Sequence, residues 1–154
     1  MRLEPRNFTV PANGDAGITV TLSAYTAGDV VGGLLTFDVA RVSDRGFIER
    51  VRLVDEDSQD EPYLLYVFRE QPTTIANDAA FAPTVADIQK LLFVISISTA
   101  TTVNSIDFWH SAQLNYAFNA PDGNLYGYLV ANASTPDYAN ADALSLYLDV
   151  RGDA

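Results

Sequence analysis

Residues 144–150 read LSLYLDV, which sets Leu144, Leu146, Leu148 and Val150 against Ser145, Tyr147 and Asp149. Side chains of an extended chain alternate between two faces, so this pattern predicts a strand with one buried and one wet side. GITVTLS at 17–23 repeats it, with Ile18, Val20 and Leu22 opposite Thr19, Thr21 and Ser23. These two segments are predicted to bracket the domain.

Between them lie VVGGLLTF (30–37), FIERVRLV (47–54), YLLYVFR (63–69), LLFVISIS (91–98), a segment around FWHSAQLNYAF (108–118) and LYGYLV (125–130). Turn signals at Asn13-Gly14, Gly32-Gly33, Arg45-Gly46 and Asp122-Gly123 punctuate the series, and Gly32-Gly33, inside a strand pattern, predicts a bulge or kink. The expected fold is all-β: about eight antiparallel strands in a jelly-roll-like β-sandwich. In YLLYVFR and LLFVISIS both faces are apolar. Such strands are either covered on two sides within the chain or meet a neighbouring subunit, and periodicity does not separate the two cases. One short helix is expected near 84–90, with Thr84 as N-cap and Asp87 three residues on as an approximate capping box, and Ile88, Leu91 and Leu92 as its buried stripe.

The chain of 154 residues is long enough for one domain with a real core, since roughly 70% of the unfolded surface is buried at this size. Residues 1–16 are read as an extended N-terminal arm and 151–154 as a flexible tail. Twenty acids against nine bases leave a net charge of −11, which repels phosphate backbones and anionic lipid, so neither nucleic acid nor membrane is an expected partner. A positively patterned protein surface is. The absence of cysteine excludes disulfides, thiolate metal sites and a cysteine nucleophile. The opening residues lack the apolar core of a signal peptide, and no run reaches the roughly 18 apolar residues of a membrane span, so synthesis in the cytoplasm is expected.

The densest charge falls in VDEDSQDEPY (54–63). Asp55 and Asp57 begin like a calcium loop, but Asp60 stands where the sharp turn wants glycine and Tyr66 where the bidentate acid belongs. A looser cation site or a metal-assisted hydrolase on Asp55, Asp57 and Asp60 is the chemical reading. The reading adopted is a solvated, self-repelling connection between strands ending at Val54 and beginning at Tyr63. His110 is the single histidine, and its neighbour Ser111 points to the opposite face of a strand, so the two form no catalytic pair. No catalytic residue, metal ligand or cofactor site is assigned. Trp109, Tyr126, Tyr128 and Tyr138 would be the platform if the chain stacked on sugars, although amphipathic rings serve protein interfaces equally well. Arg151-Gly152-Asp153 spells an adhesion tripeptide. The non-periodic stretch 69–87 is a candidate contact arm, because long loops in compact β domains tend to be functional.

VRLVDEDSQDEPYLLYVFREQPTTIANDAAFAPTVADIQKLLFVISI (51–97), followed by LYGYLVANASTPDYANADALSLYLDV (125–150), resembles small structural proteins of tailed bacteriophages and prophages. FREQPTTIANDAAFAP (68–83) is the most telling piece. The resemblance implies a non-enzymatic virion component, a head decoration or auxiliary capsid protein that binds the outer surface of the head and stabilises it. Its partners would be the major capsid protein and copies of itself, as a homotrimer or other homo-oligomer, and its location the capsid surface. The alternative is a carbohydrate-binding or accessory domain of a tail fibre or baseplate. The expected interface residues are Gln71, Pro72, Thr73, Thr74, Ile75 and Phe81 on the arm, with Tyr63, Tyr66 and Phe68 on the adjoining strand.

Overall fold

The computed structural model describes residues 7–98 and 100–153. Ten strands are present among the described residues: β1 (Asn7–Pro11), β2 (Val30–Asp38), β3 (Arg45–Asp55), β4 (Tyr63–Phe68), β5 (Leu91–Ile97), β6 (Thr101–Val103), β7 (Ile106–His110), β8 (Tyr116–Asn119), β9 (Asn124–Ala131) and β10 (Leu144–Gly152). One sheet runs β1-β10-β3-β7-β6, with β8 also on β3; the other runs β2-β9-β4-β5. Every pairing is antiparallel. β7 pairs with Arg52–Asp55 and β8 with Arg45–Ile48, so these two succeed each other along one side of β3 as a single interrupted strand. The chain crosses between sheets at six of the nine connections, and the interleaved orders are those of a jelly roll, a wiring that the strand spacing leaves open beside other Greek-key sandwiches.

β10 behaves as its alternation demands. Leu144, Leu146, Leu148 and Val150 enter the core while Ser145, Tyr147, Asp149 and Arg151 stay on the outer face. The core between the sheets is filled by side chains of β2, β3, β4, β9 and β10, among them Leu35, Phe37, Ile48, Leu65, Leu125 and Leu129. At roughly 1.5–3 kcal/mol for each fully buried aliphatic or aromatic group, this layer supplies the main favourable term in folding.

Three expectations are corrected. GITVTLS is not a strand: Ile18 and Val20 are buried as the alternation requires, but Leu22 is exposed and no ladder forms. Its backbone is satisfied by loops instead, Val20 N donating to Ala141 O (2.9 Å) and Thr21 N to the Tyr25 hydroxyl (2.8 Å). The proposed arm 1–16 is part of the sheet from residue 7, where β1 pairs with β10; residues 1–6 lie outside the described ones. Nor is 151–154 a free tail, because Arg151 and Gly152 belong to β10 and Asp153 N donates to Arg45 O (3.1 Å); Ala154 lies outside the described residues. Arg151 binds Glu49 (2.6 Å) and lies over the Phe47 ring, so the first two residues of the adhesion tripeptide are built into a strand while Asp153 follows it.

The helix is shorter than expected, Val85–Ile88, yet the capping box is complete between Thr84 and Asp87. Its buried stripe is corrected: Ile88 is exposed, Leu91 and Leu92 open β5, and the buried helical residue is Asp87. The glycine pair in β2 does form a bulge, the register shifting between Val31 and Leu35. Gly32 and Gly33 have φ of 85° and 73°, a region that costs side-chain-bearing residues about 1–2 kcal/mol. A Cβ on Gly32 would also overlap Ile18 Cγ2, whereas one on Gly33 meets nothing closer than Asn77 N at 3.7 Å. Gly32→Ala is therefore expected to lower the melting temperature well beyond Gly33→Ala. Thermal unfolding of both variants checks this, and equal losses would contradict the packing assignment.

Candidate functional site

The outer face of the four-stranded sheet carries Val30 from β2, Phe68 from β4 and Tyr126, Tyr128 and Val130 from β9, all buried. What covers them is the 69–87 arm. Phe81 lies against Tyr66 and Tyr128, with ring centroids 4.4 Å and 5.6 Å away, and Ile75 packs on the same cluster. The backbone of the arm is sewn to the sheet. Val30 N donates to Ala79 O (2.8 Å), Asp78 N to Val30 O (2.9 Å) and Phe81 N to Gly28 O (2.9 Å). The Tyr128 hydroxyl donates to Thr73 O (2.7 Å) and accepts from Ile75 N (2.9 Å).

Two polar side chains hold the arm at its ends and middle. Asp87 accepts from the backbone and hydroxyl groups of Thr73 and of Thr84 at 2.8–3.1 Å, closing the loop on itself. The backbone N–H groups of Thr73 and Thr84 hold its carboxyl down at about 2. Asn77 Oδ1 accepts from the Tyr25 hydroxyl and from Gly32 N, the amide that the bulge frees from the ladder, both at 2.8 Å, and Nδ2 donates to Thr19 O (3.1 Å). Neither residue was marked in the sequence beyond the capping role of Asp87, because their partners lie 14 to 58 positions away.

The expected interface is thus corrected. Tyr63 is buried between the sheets with its hydroxyl bonded to that of Tyr138, Phe68 and Pro72 are buried, and Tyr66, Ile75 and Phe81 are half-buried on one another's cluster. Only the polar Gln71, Thr73 and Thr74 are exposed, and the Gln71 carbonyl accepts from Lys90 Nζ (2.9 Å). The arm covers the second apolar face of YLLYVFR within the chain, whereas Val94 in LLFVISIS stays exposed.

The acid turn is not a wet connection throughout. Asp55 is 3% exposed, accepting from Asp57 N and Gln59 N, both at 2.9 Å. Asp57 accepts from Ala139 N (2.9 Å) and Asn140 N (2.8 Å), and Asp60 from Ala100 N (2.8 Å). Each carboxylate closes a different loop. Among the described residues no three acids or histidines gather in a way that could hold a metal ion, so the Asp55, Asp57, Asp60 cation site does not assemble. Burial pushes the Asp55 carboxyl up, the two backbone N–H groups oppose this, and the charges of Asp107 and Asp57 add to the rise.

The sugar platform does not assemble either. Tyr126 and Tyr128 lie under the arm, Tyr138 is in the core, and Trp109 packs from the opposite sheet. Burial raises the phenols of Tyr63, Tyr126, Tyr128 and Tyr138 above their ordinary range. Ser111 is buried with Oγ accepting from Val51 N (3.0 Å), while His110 is exposed, its Nδ1 3.0 Å from Ser111 O.

Leu22, Val85, Ile88, Val94 and Tyr116 are exposed at separate places, and a further three apolar side chains are exposed side by side on the six-stranded sheet. β6 and β7 form a hairpin whose two-residue turn, Asn104-Ser105, has φ of 51° and 63° at both positions, the geometry that matches strand twist. Its outer face shows Val103 (64% exposed), Ile106 (37%) and Phe108 (36%), with Val54 beside Phe108 in register. The sequence reading began its strand at Phe108 and missed this hairpin, whose short β6 gives little periodicity; its signal was the Asn104-Ser105 turn. Compared with protein-family models, curated proteins and solved structures, the chain matches none.

Asn77→Ala leaves the Gly32 amide and the Tyr25 hydroxyl without their acceptor, each loss worth about 1–3 kcal/mol where the group stays dry. The expected result is faster hydrogen exchange throughout 72–81 and a lower melting temperature. Unchanged exchange there would show that apolar contacts alone hold the arm.

Proposed function

We propose that this chain is a non-enzymatic structural protein of a phage virion, a capsid decoration or auxiliary protein. It attaches to the outer surface of the head through the uncovered face of its six-stranded sheet. The observation that carries this reading is the contrast between the two sheets. One outer face is largely covered by the chain's own arm, with Val94 on β5 left 40% exposed, whereas the other shows Val103, Ile106 and Phe108 together in solvent. The resemblance of 51–97 and 125–150 to small phage structural proteins supplies the class of partner, and the jelly roll is an architecture that viral capsid domains use. Fold likeness by itself is an analogy and carries less weight than the surface.

The occupant is the major capsid protein, with the hairpin laid against it. Affinity comes mainly from the apolar side chains, about 1.5–3 kcal/mol for each one fully buried, while the net charge of −11 steers the chain toward positively patterned sites and sets the association rate. Self-association belongs to the same reading, with β6 offering an edge strand of three exposed residues.

Phe108→Asp is expected to weaken attachment to preformed capsid shells by roughly 30-fold or more, about 2 kcal/mol, with the fold intact by circular dichroism. Raising salt slows attachment but does not abolish it. Co-sedimentation of wild type and variant with shells of the phage that carries the chain is the measurement, and undiminished binding by Phe108→Asp would remove the proposal.

A further inference from the structure

Asp55 on β3 and Asp107 on β7 are direct cross-strand partners, and both side chains turn inward, with 3% and 2% exposure. Directly opposed residues of an antiparallel pair place their Cβ atoms about 4.5–5.5 Å apart, so two carboxyl groups share one dry corner of the sandwich. Both converge on the turn after β3. Asp107 Oδ1 accepts from Ser58 Oγ (2.7 Å) and Thr102 Oγ1 (2.6 Å), while the Asp55 oxygens take Asp57 N and Gln59 N. Asp107 Oδ2 is buried and has no hydrogen-bond partner. An ionised oxygen left this way is costly, and two adjacent buried carboxylates repel.

We propose that Asp55 and Asp107 form a proton-binding site: one proton, lying between Asp107 Oδ2 and the Asp55 carboxylate, is kept by the pair above the pH at which free aspartate ionises. The hydrogen bond it makes would supply the missing partner and remove one of the two like charges, as in other close carboxyl dyads. A cation is the competing occupant, and the geometry disfavours it. The adjoining cavity is about 10 Å³, no more than a water needs, and although four acids line it, no three among the described residues are placed so that they could hold a metal ion. The charged groups that line it are Asp55, Asp60, Glu61 and Asp107, with the Tyr63 phenol; no lysine, arginine or histidine lines it. Asp57 faces the pair from the turn and Tyr138 from the 132–143 loop, and neither brings positive charge. Each of these charged neighbours therefore favours retention of the proton, against the two backbone N–H groups of Asp57 and Gln59 that favour the ionised form. The upward displacement of Asp55, caused first by burial, points the same way.

The consequence is a pH-sensitive latch. The turn that the pair anchors holds the 137–140 loop through Asp57 on Ala139 and Asn140 and through Gln59 Oε1 on Asp137 N (3.0 Å). A group raised above its ordinary value of 3.8 contributes stability that is full below that pH and lost as pH rises through its folded-state value. Loss of the proton is expected to loosen turn and loop together.

Asp107→Asn tests this, because its Oδ1 still accepts from Ser58 and Thr102 while Nδ2 donates to Asp55 without a proton to lose. The melting temperature of wild type is expected to fall relative to the variant as pH rises from about 4. A flat difference, or a wild type that gains on the variant, overturns the proposal. Independently of how the variant folds, carbon-13 titration of aspartate-labelled wild type should show one carboxyl of the pair still protonated after the exposed aspartates have ionised; finding both ionised with the rest overturns it. Calcium chloride added to wild type should leave the melting temperature unchanged, and a rise that Asp107→Asn abolishes would assign the oxygen to a cation instead.

Discussion

A strand that is apolar on both faces cannot be left half in water, and β9 imposes that condition on the whole molecule. Every residue from Leu125 to Ala131 is buried. One side of β9 is answered by the opposite sheet, with Leu125, Leu129 and Ala131 in the inter-sheet core. The other side, with Tyr126, Tyr128 and Val130, has only the 69–87 arm to meet it. The arm is therefore a third layer of structure and not a loop in the ordinary sense. Its polar groups must be satisfied where it crosses the sheet, which explains why Asn77, Asp87 and the Tyr128 hydroxyl are all committed to backbone partners.

The six-stranded sheet solves the same problem differently. Its outer face is largely paired polar surface: Arg52 binds Asp149 (3.0 Å) and lies over Tyr147, and Thr9 donates to Asp149 (2.9 Å). Pairs this exposed contribute little to stability, so their effect is to keep this face wettable and to leave the apolar corner on β6 and β7 as its exception. An isolated corner of that kind on an otherwise charged face marks a contact surface more clearly than scattered apolar residues do.

Much of the fold was legible because strand periodicity is local. The alternation of 144–150 and the glycine bulge in β2 are decided by neighbours one or two residues away, as is the box between Thr84 and Asp87. What failed was whatever depended on distant partners. GITVTLS alternates like a strand but finds loops beside it, because Ile18 packs at the Gly32 bulge and Thr19 O is taken by Asn77. The arm was recognised as an unusual segment and assigned to a partner, since nothing in FREQPTTIANDAAFAP states that Phe81 returns to Tyr66 on the strand it has just left. The hairpin at β6 and β7 was hidden for the opposite reason, its strands being too short for a period to show.

The acids separate into two populations that composition merges. Asp55, Asp57, Asp60, Asp87 and Asp107 act as acceptors for backbone amides or hydroxyls that the jelly-roll connections would otherwise leave unpaired. Carboxylates suit this because each offers two acceptor atoms, and a bond from an N–H to an ionised oxygen is stronger than one to a neutral acceptor. The same preference creates an awkward contact in the sandwich. β3 and β7 each deliver such an acceptor to the same turn, at the same register position, and Asp55 and Asp107 are left facing each other with two donors on Asp107 Oδ1 and none on Oδ2. A chain that ties its loops down with aspartate leaves an oxygen bare in this way wherever two ties meet in the dry interior, and a retained proton is the smallest donor that relieves it.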